Sequence, residues 1–433
     1  MKKGFVVLVL SCLAVGAKAQ TGTWSGKLDV QGTALPIVFH LEEAGGTMDS
    51  PAQGVKGIPV NVERHAQDSI TLGIPAINGI FKGCWKEAKI TGTFKQHGMS
   101  FPLTLTPGEQ KLNRPQTPIG PFPYTMEDVS FANGDAVLKG TLVLPEGYSR
   151  KTPVLVMVTG SGLQNRDEEI FEHKPFAVIA DALARAGIAT LRYDDRGFGE
   201  STGDAVYCTT EDLKNDALAG IKLLRERFDR VGIIGHSEGG TIGLMLAAEG
   251  KVDFVVSLAG MVVSGKELLL WQNSTILSDA GFTPEAVKSY CQVLTGAFDA
   301  CIAETPFPSA DSRDLPDALK QNYQGVVMQL KSPYMRYFLK LDTREFLKNI
   351  NCPVLALNGS KDTQVDAESN LHALREGLPS SSKTRIETVE GLNHIFQHCR
   401  TGKTAEYREI EETFSPEALE MIIQWMKGSQ LGL

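Results

Sequence analysis

The chain has 433 residues, of which 42% are hydrophobic and 22% are charged, and its formal net charge is −8. This length exceeds one ordinary domain, so we expect two folded units with the composition of a globular protein. The mild acidity argues against nucleic acid as a partner.

The first 19 residues have the pattern of a signal peptide. Two lysines precede an apolar run at 5–15, and Ala17-Lys18-Ala19 fits an A-x-A cleavage site. The run is short for a membrane anchor, and the residues before Cys12 fit a lipoprotein site poorly. We therefore expect cleavage near Ala19 and export to the periplasm or the cell exterior. No later stretch of the sequence has a transmembrane pattern.

Removal of the signal peptide leaves six cysteines in the chain. Export permits disulfides, and Cys291 and Cys301 are close enough in sequence to close a small loop. The sequence leaves the pairing open, because six cysteines allow many connectivities. None of the six has metal-site spacing.

Residues 20–106 show short strand patterns separated by turns. Runs at 35–41, 89–94 and 100–105 alternate polar and apolar residues, and glycine-containing turns separate them. No helical period interrupts the pattern. We predict a small antiparallel β domain, either a meander or a barrel.

A proline-rich segment follows the β domain. Residues 107–123 contain five prolines and little apolar periodicity, which predicts a semi-rigid linker. The second domain is expected at 124–433. It opens with two strand patterns, at 126–131 and 137–144, that Asn133-Gly134-Asp135 joins into a hairpin.

Strands and helices alternate from Pro153 onward. Strand patterns occur at 153–158, 188–192, 231–235, 254–258, 353–357 and 384–388, and helical patterns at 175–186, 211–228, 240–249, 367–376 and 416–426. This alternation predicts a mostly parallel sheet with helices on both faces.

Residues 262–349 interrupt the alternation. Helical patterns at 266–278, 284–294, 314–330 and 333–341 are separated by prolines and polar loops, which predicts a helical cap inserted over the strand ends. Its aromatic residues Trp271, Tyr334, Tyr337 and Phe338 are candidates for a pocket wall, although burial within the cap is the commoner role for such side chains.

The stretch Gly235-His236-Ser237-Glu238-Gly239 stands between a predicted strand and a predicted helix. A strand, G-x-S-x-G and a helix in that order form a nucleophile elbow, whose sharp turn exposes the serine hydroxyl above the sheet. The turn needs small residues two before and two after the serine, and both are glycines here. Ser237 is therefore the predicted nucleophile. His236 is expected to help hold the elbow rather than to act as the base.

A serine nucleophile needs a base that an acid orients. In hydrolases with this elbow, the acid and then the histidine follow the serine along the chain. Asp362 stands just after one late strand pattern, and His394 stands just after the next. We predict a triad of Ser237, His394 and Asp362, with Asp366 as an alternative acid and His398 as an alternative base.

The tetrahedral intermediate of such an enzyme needs backbone donors for its oxyanion. The first expected donor is the N–H of Glu238, next to the nucleophile. The second is expected from the loop Thr159-Gly160-Ser161-Gly162-Leu163, with Ser161 preferred and Gly162 and Leu163 behind it. The polar run at 164–169 either shapes the pocket or is a solvated loop.

These motifs together resemble the α/β-hydrolase family from about residue 126 to the C-terminus. The stretch 194–201 is similar to the structural D-x-R-G-x-G-x-S turn of that family. Thr159-Gly160 stands where many members have His-Gly, a departure that leaves a backbone oxyanion role intact. The loop at 160–168, with Ser332-Pro333 and Arg336-Tyr337-Phe338-Leu339, is similar to a group of exported bacterial esterases with an extra N-terminal β domain.

The resemblance implies an α/β-hydrolase fold after a small all-β domain. It also implies a secreted serine esterase that acts on small-molecule carboxylic esters through an acyl-enzyme, with no metal or organic cofactor. A peptidase or amidase, or a thioesterase or acyltransferase, with the same triad is the alternative. A non-catalytic binding protein on the same scaffold is a more remote one, because all three triad residues are present. The oligomeric state stays open.

Overall fold

The computed structural model describes residues 21–428, except residues 31–32, 44, 52–54, 66–67, 87, 97, 109–111 and 311–314. The predicted signal peptide at 1–19 lies outside the described residues. The chain divides into two compact units between Leu112 and Asn113.

The described strands of the first unit form a closed antiparallel barrel. They are β1 (Gly22–Val30), β2 (Thr33–Leu41), β3 (Gly46–Ser50), β4 (Val55–His65), β5 (Ser69–Ile74), β6 (Gly79–Lys86), β7 (Lys89–Gln96) and β8 (Met99–Pro107). Each strand pairs with the next, and β8 closes the barrel on β1, where Ser25 lies opposite Thr106. The predicted all-β domain is confirmed, and it is a barrel rather than an open meander.

The interior of the barrel is filled with apolar side chains. Phe39, Leu72, Phe81 and Leu105 are fully buried there and belong to one cluster. A barrel of this strand number is just wide enough for side chains to fill it. The first unit is therefore a packed core in its own right.

The second unit contains a mixed sheet whose strand order is β16-β15-β14-β13-β11-β12-β10-β9. The strands are β9 (Tyr124–Asn133), β10 (Ala136–Pro145), β11 (Val154–Val158), β12 (Ala189–Tyr193), β13 (Val231–His236), β14 (Val255–Leu258), β15 (Val354–Gly359) and β16 (Arg385–Val389). The hairpin of β9 and β10 is antiparallel to the rest, and β11 to β16 pair in parallel. This confirms the predicted α/β-hydrolase fold.

Helices cover both faces of this sheet. The helices against the sheet are α1 (Pro175–Arg185), α2 (Thr210–Arg225), α3 (Glu238–Ala248), α8 (Ala367–Gly377) and α9 (Pro416–Lys427). The other four described helices are α4 (Gly265–Asp279), α5 (Pro284–Ala303), α6 (Asp317–Gln329) and α7 (Pro333–Lys340). Alternate residues of β11 enter opposite clusters, since Val156 packs with residues of α2, α3 and α8 whereas Leu155 packs with residues of α1 and α9. Within the described ranges, no helix has both the length and the apolar character needed to cross a bilayer.

Helices α4 to α7 form the cap, with a core of their own. Helix α5 continues to Ala303, beyond the predicted end at 294, because its apolar stripe extends through Ala297, Phe298 and Cys301. The helix places Cys291 and Cys301 about 15 Å apart, which is too far for a disulfide. Both are free thiols, as are the other described cysteines.

The segment predicted as a linker, 107–123, is in part fixed to the second unit. The Arg114 guanidinium donates to the backbone oxygen of Ile410 at 2.8 Å. The Gln116 amide accepts from the Phe414 N–H at 3.0 Å and donates to the oxygen of the same residue at 2.7 Å. From Asn113 onward the segment therefore belongs to the second unit rather than connecting freely.

Candidate active site

Ser237 makes the turn between β13 and α3. Its backbone has φ 53° and ψ −119°, a conformation that residues with a side chain rarely adopt. A Cβ on Gly235 would lie 2.0 Å from the Gly239 carbonyl oxygen, and one on Gly239 would lie 2.0 Å from that of Val158. Only glycine fits at these two positions, so the pair permits the strained turn at Ser237.

Asp362 and His394 follow the neighbouring strands β15 and β16 and meet at their carboxyl ends. His394 Nδ1 lies 2.7 Å from Asp362 Oδ2. The other oxygen, Oδ1, accepts the N–H groups of Gln364 at 2.8 Å and Val365 at 2.9 Å. Both side chains are buried. The carboxylate is therefore fixed by its own loop while it orients the imidazole.

The partner of His394 Nδ1 determines the tautomer of the imidazole. A carboxylate oxygen only accepts hydrogen bonds, so Nδ1 carries the proton and the lone pair is on Nε2. Nε2 is the nitrogen that a general base uses. His394 lines the same cavity as Ser237, so the structure brings the three predicted triad residues to one place.

The alternative acid and base have other partners. Asp366 caps α8 by accepting the N–H of Ser369 at 2.8 Å. His398 is exposed, and its Nδ1 lies 2.9 Å from Glu412 Oε1. Neither is among the described residues of the cavity wall.

The loop after β11 runs against the nucleophile. A Cβ on Gly160 would lie 3.2 Å from the Cβ of Ser237, and the Gly160 N–H donates to Glu168 Oε1 at 2.8 Å. Of the four candidate oxyanion donors, Ser161 and Glu238 line the cavity, whereas Gly162 and Leu163 are outside its described wall.

Two carboxylates of the turn at 194–201 hold this loop in place. Asp195 accepts the hydroxyl of Thr159 at 3.0 Å and the N–H of Gln164 at 2.8 Å. Asp194 accepts both the N–H and the guanidinium of Arg166. Burial raises the pKa of Asp195 to about 7. The turn identified from sequence as structural therefore positions the predicted oxyanion loop.

The cavity beside Ser237 has a volume of about 400 Å³, within the range of small-molecule sites. Much of its wall is apolar, with Met261, Leu268, Leu269, Met335, Phe338, Val365 and Ile395. Of the aromatic candidates, Tyr334 and Phe338 line it, whereas Trp271 and Tyr337 are not in its described wall. That wall contains no lysine or arginine. Among described residues, no group of three or more His, Cys, Asp or Glu side chains is arranged to hold a metal ion.

The side chain of Glu238 forms part of the cavity wall. Its carboxylate accepts the hydroxyl of Thr210 at 2.6 Å and that of Tyr334 at 2.6 Å. Burial raises its pKa in spite of these hydrogen bonds. Because Tyr334 belongs to α7, the residue after the nucleophile connects the cap to the sheet. Sequence reasoning assigned Glu238 for its backbone alone and missed this contact.

Comparison with known families agrees with this architecture. Residues 133–387 match the family model described as X-Pro dipeptidyl-peptidase (S15 family). The chain belongs to this family. The matched part of this S15-family chain contains Ser237 and Asp362, and it ends seven residues before His394.

Two curated relatives resemble the S15-family chain. The Esterase EstD of Thermotoga maritima is 27% identical over 279 residues, which cover 64% of this chain and 61% of the esterase. The chain thus spans less than two thirds of the length of that relative. An uncharacterized 31.7 kDa protein from the traX-finO intergenic region of Escherichia coli is 24% identical over 266 residues, covering 59% of this chain and 87% of that protein.

Solved structures also align with the chain. Esterase Pf2001 of Pyrococcus furiosus aligns with a TM-score of 0.42 and 16% identity, covering 70% of this chain and 92% of the esterase. Est1E of Butyrivibrio proteoclasticus aligns with a TM-score of 0.43 and 17% identity, covering 71% of this chain and 99% of Est1E.

Proposed function

We propose that this chain is a serine hydrolase that cleaves carboxylic esters through an acyl-enzyme. One observation carries the proposal: the strained Ser237 and the Asp362-oriented His394 line the same cavity. The likeness to a protein named Esterase EstD supports ester substrates.

Acylation begins when Ser237 Oγ attacks the carbonyl carbon of the ester. His394 Nε2 takes the hydroxyl proton, and Asp362 stabilises the imidazolium that forms. The C–O bond to the alcohol then breaks, and His394 gives its proton to the departing oxygen. Water repeats the sequence on the acyl-enzyme, which releases the acid and restores the Ser237 hydroxyl.

Two backbone N–H groups are proposed to stabilise the oxyanion. They are those of Glu238 and Ser161, which adjoin the cavity. The Gly160 N–H is already directed at Glu168, so the donor on this loop is assigned to the next residue. Each such donor lowers the barrier by about 3 kcal/mol.

The lining of the cavity favours an uncharged, mainly aliphatic acyl group. Leu268, Phe338 and Val365 offer apolar surface, and they belong to one buried cluster where the cap meets the sheet. The described wall contains no lysine or arginine to neutralise a substrate carboxylate. A buried unpaired charge is costly, so esters of dicarboxylic acids are expected to react poorly.

Peptide hydrolysis is the second candidate function. The description of the matching family as X-Pro dipeptidyl-peptidase favours it, and the same triad cleaves amides when His394 protonates a leaving amine. The two candidates differ only in the bond that is cleaved, so substrates distinguish them.

The test is hydrolysis of p-nitrophenyl esters from acetate to dodecanoate, beside Xaa-Pro-p-nitroanilides, by the wild-type protein and Ser237→Ala. We expect turnover of short and medium esters that the substitution abolishes. Turnover of the anilides alone would replace the esterase by the peptidase. Activity that survives Ser237→Ala on either substrate would contradict the assigned nucleophile.

We also propose that the protein is exported after cleavage near Ala19. The proposal rests on the lysines, the apolar run and the A-x-A site at the N-terminus. Mass spectrometry of the protein expressed with its native N-terminus is expected to find a chain that starts at Gln20 outside the cytoplasm. An uncleaved cytoplasmic chain would contradict the proposal.

A further inference from the structure

A second carboxylate–histidine pair lies beside the candidate triad. Glu168, in the polar run after the oxyanion loop, is only 5% exposed. Its Oε1 accepts two hydrogen bonds, from the Gly160 N–H at 2.8 Å and from His236 Nδ1 at 2.8 Å. One buried oxygen therefore contacts both the loop against Ser237 and the residue that precedes Ser237.

His236 extends this contact to the catalytic base. Its Nε2 lies 2.9 Å from the backbone oxygen of His394, and the centroids of the two rings are 4.6 Å apart. The connection thus runs from Gly160 through Glu168 and His236 to His394. It joins the oxyanion loop, the elbow and the loop of the base.

The partners of His236 determine its charge. Both ring nitrogens face oxygens that only accept hydrogen bonds, a carboxylate and a backbone carbonyl, so both must carry a proton. His236 is therefore an imidazolium that donates to the Glu168 carboxylate. Burial opposes this charge most strongly, but the Glu168 carboxylate, the His394 backbone oxygen and the Asp362 carboxylate together outweigh burial and hold the pKa of His236 above its ordinary value of 6.5.

Stability does not explain why the chain keeps this pair. A buried ion pair gains little over apolar packing, because both charges lose their hydration. Glu168 also has a φ of 53° without being glycine, and such a strained conformation concentrates at functional sites. Both observations point to a role in the site.

We propose that Glu168 is a positioning residue of the active site. Through its ion pair with His236, it fixes the oxyanion loop and the main chain of the base relative to Ser237. The proposal rests on the proposed function, since it assigns Glu168 to the same triad and oxyanion hole.

The experiment compares Glu168→Ala and Glu168→Gln with Glu169→Gln in the full chain. Glu169 is exposed and provides a charge-matched control next to the site. The measurements are kcat and KM on p-nitrophenyl butyrate and the rate at which a fluorophosphonate labels Ser237.

Loss of positioning lowers kcat rather than raising KM. We expect Glu168→Ala to reduce kcat and the labelling rate about 100-fold, with KM within about twofold. Glu168→Gln keeps one acceptor for Gly160, so a smaller reduction of about tenfold is expected. Glu169→Gln is expected to match the wild type.

Three results would overturn the proposal. They are a labelling rate of Glu168→Ala within about threefold of the wild type, a loss that appears in KM alone, and equal losses of kcat in Glu168→Ala and Glu168→Gln. Labelling of the wild-type protein distinguishes failure of this proposal from failure of the proposed function. If the proposed function is wrong, Ser237 of the wild-type protein does not react.

A measurement on the wild-type protein does not depend on how the variants fold. Nitrogen NMR of histidine-labelled protein, assigned with His236→Gln, reports the protonation of each ring nitrogen. We expect both nitrogens of His236 to be protonated near neutral pH. A singly protonated His236 would overturn the ion pair.

Discussion

Two carboxylate–histidine pairs of nearly equal length lie next to each other in the second unit. His394 Nδ1 is 2.7 Å from Asp362, and His236 Nδ1 is 2.8 Å from Glu168. The two histidines differ at Nε2, the other ring nitrogen. Nε2 of His236 lies against the backbone oxygen of His394, whereas the ring that carries Nε2 of His394 lines the cavity.

This difference gives the two histidines different chemistry. An imidazole between two acceptors must hold two protons and cannot accept another. An imidazole with one acceptor keeps a lone pair and serves as a base. A carboxylate partner alone therefore does not identify the catalytic histidine. The partner of the second ring nitrogen determines which histidine can serve as the base.

The largest expected effect is a difference in kcat between substitutions of the two carboxylates. Asp362→Asn is expected to reduce kcat about 10⁴-fold, because an amide that donates to Nδ1 favours the wrong tautomer of His394. Glu168→Gln is expected to cost about tenfold, since it acts only through position. Steady-state kinetics on one ester checks both variants. Equal losses would remove the distinction between base-orienting and positioning carboxylates.

A third buried histidine extends the comparison to stability. Among the described residues, the hydrogen-bond partners of His173 include no carboxylate: Nδ1 lies 2.9 Å from the hydroxyl of Thr413, and Nε2 lies 2.9 Å from both the Tyr407 oxygen and the Gln397 amide nitrogen. Burial lowers its pKa to about 4 from an ordinary value of 6.5. The unfolded chain therefore binds the proton first as pH falls, so the free energy of unfolding decreases between pH 6.5 and about 4, by up to about 3 kcal/mol.

Urea unfolding across that pH range checks whether the free energy of unfolding decreases as the pH falls. His173→Gln is expected to flatten the decrease, whereas replacement of the exposed His372 by Gln leaves it unchanged. Asp195, with its raised pKa, titrates in all three proteins, so the difference between curves isolates His173. An unchanged slope in His173→Gln would contradict a neutral buried His173.

The smallest effect concerns the connection between cap and elbow. Tyr334→Phe removes a donor from the buried Glu238 carboxylate, and an unsatisfied buried acceptor costs about 1–3 kcal/mol. Tyr337→Phe is the control, because its partner Glu211 is partly exposed and water replaces the lost hydroxyl. Chemical denaturation is expected to show a larger loss for Tyr334→Phe, and the reverse order would contradict the role of Glu238 in holding α7.

The fold and the placement of the candidate triad residues were predictable because their signals are local. Each triad residue directly follows a strand pattern, and the carboxyl ends of parallel strands meet at one edge of the sheet. The two glycines around Ser237 predicted the turn. The cap helices followed from their periodicity, although α5 extends farther because its stripe of small and apolar residues continues past Thr295 and Gly296.

The contact between Glu168 and His236 was not predictable, because the two residues are 68 positions apart in the sequence. The register of β11 on β13 sets Val158 opposite Gly235, and this brings the loop that carries Glu168 to His236. The contact of Arg114 with Ile410 was unpredictable for the same reason, since the two residues are 296 positions apart. A proline-rich composition indicates stiffness but not which surface the segment contacts.

The most direct test of the account is fluorophosphonate labelling followed by peptide mapping. We expect one modified residue, Ser237. Its labelling rate is expected to fall steeply in Asp362→Asn and less in Glu168→Gln. An unlabelled wild-type protein, or a label on another serine, would contradict the central claim that Ser237, His394 and Asp362 form a working triad.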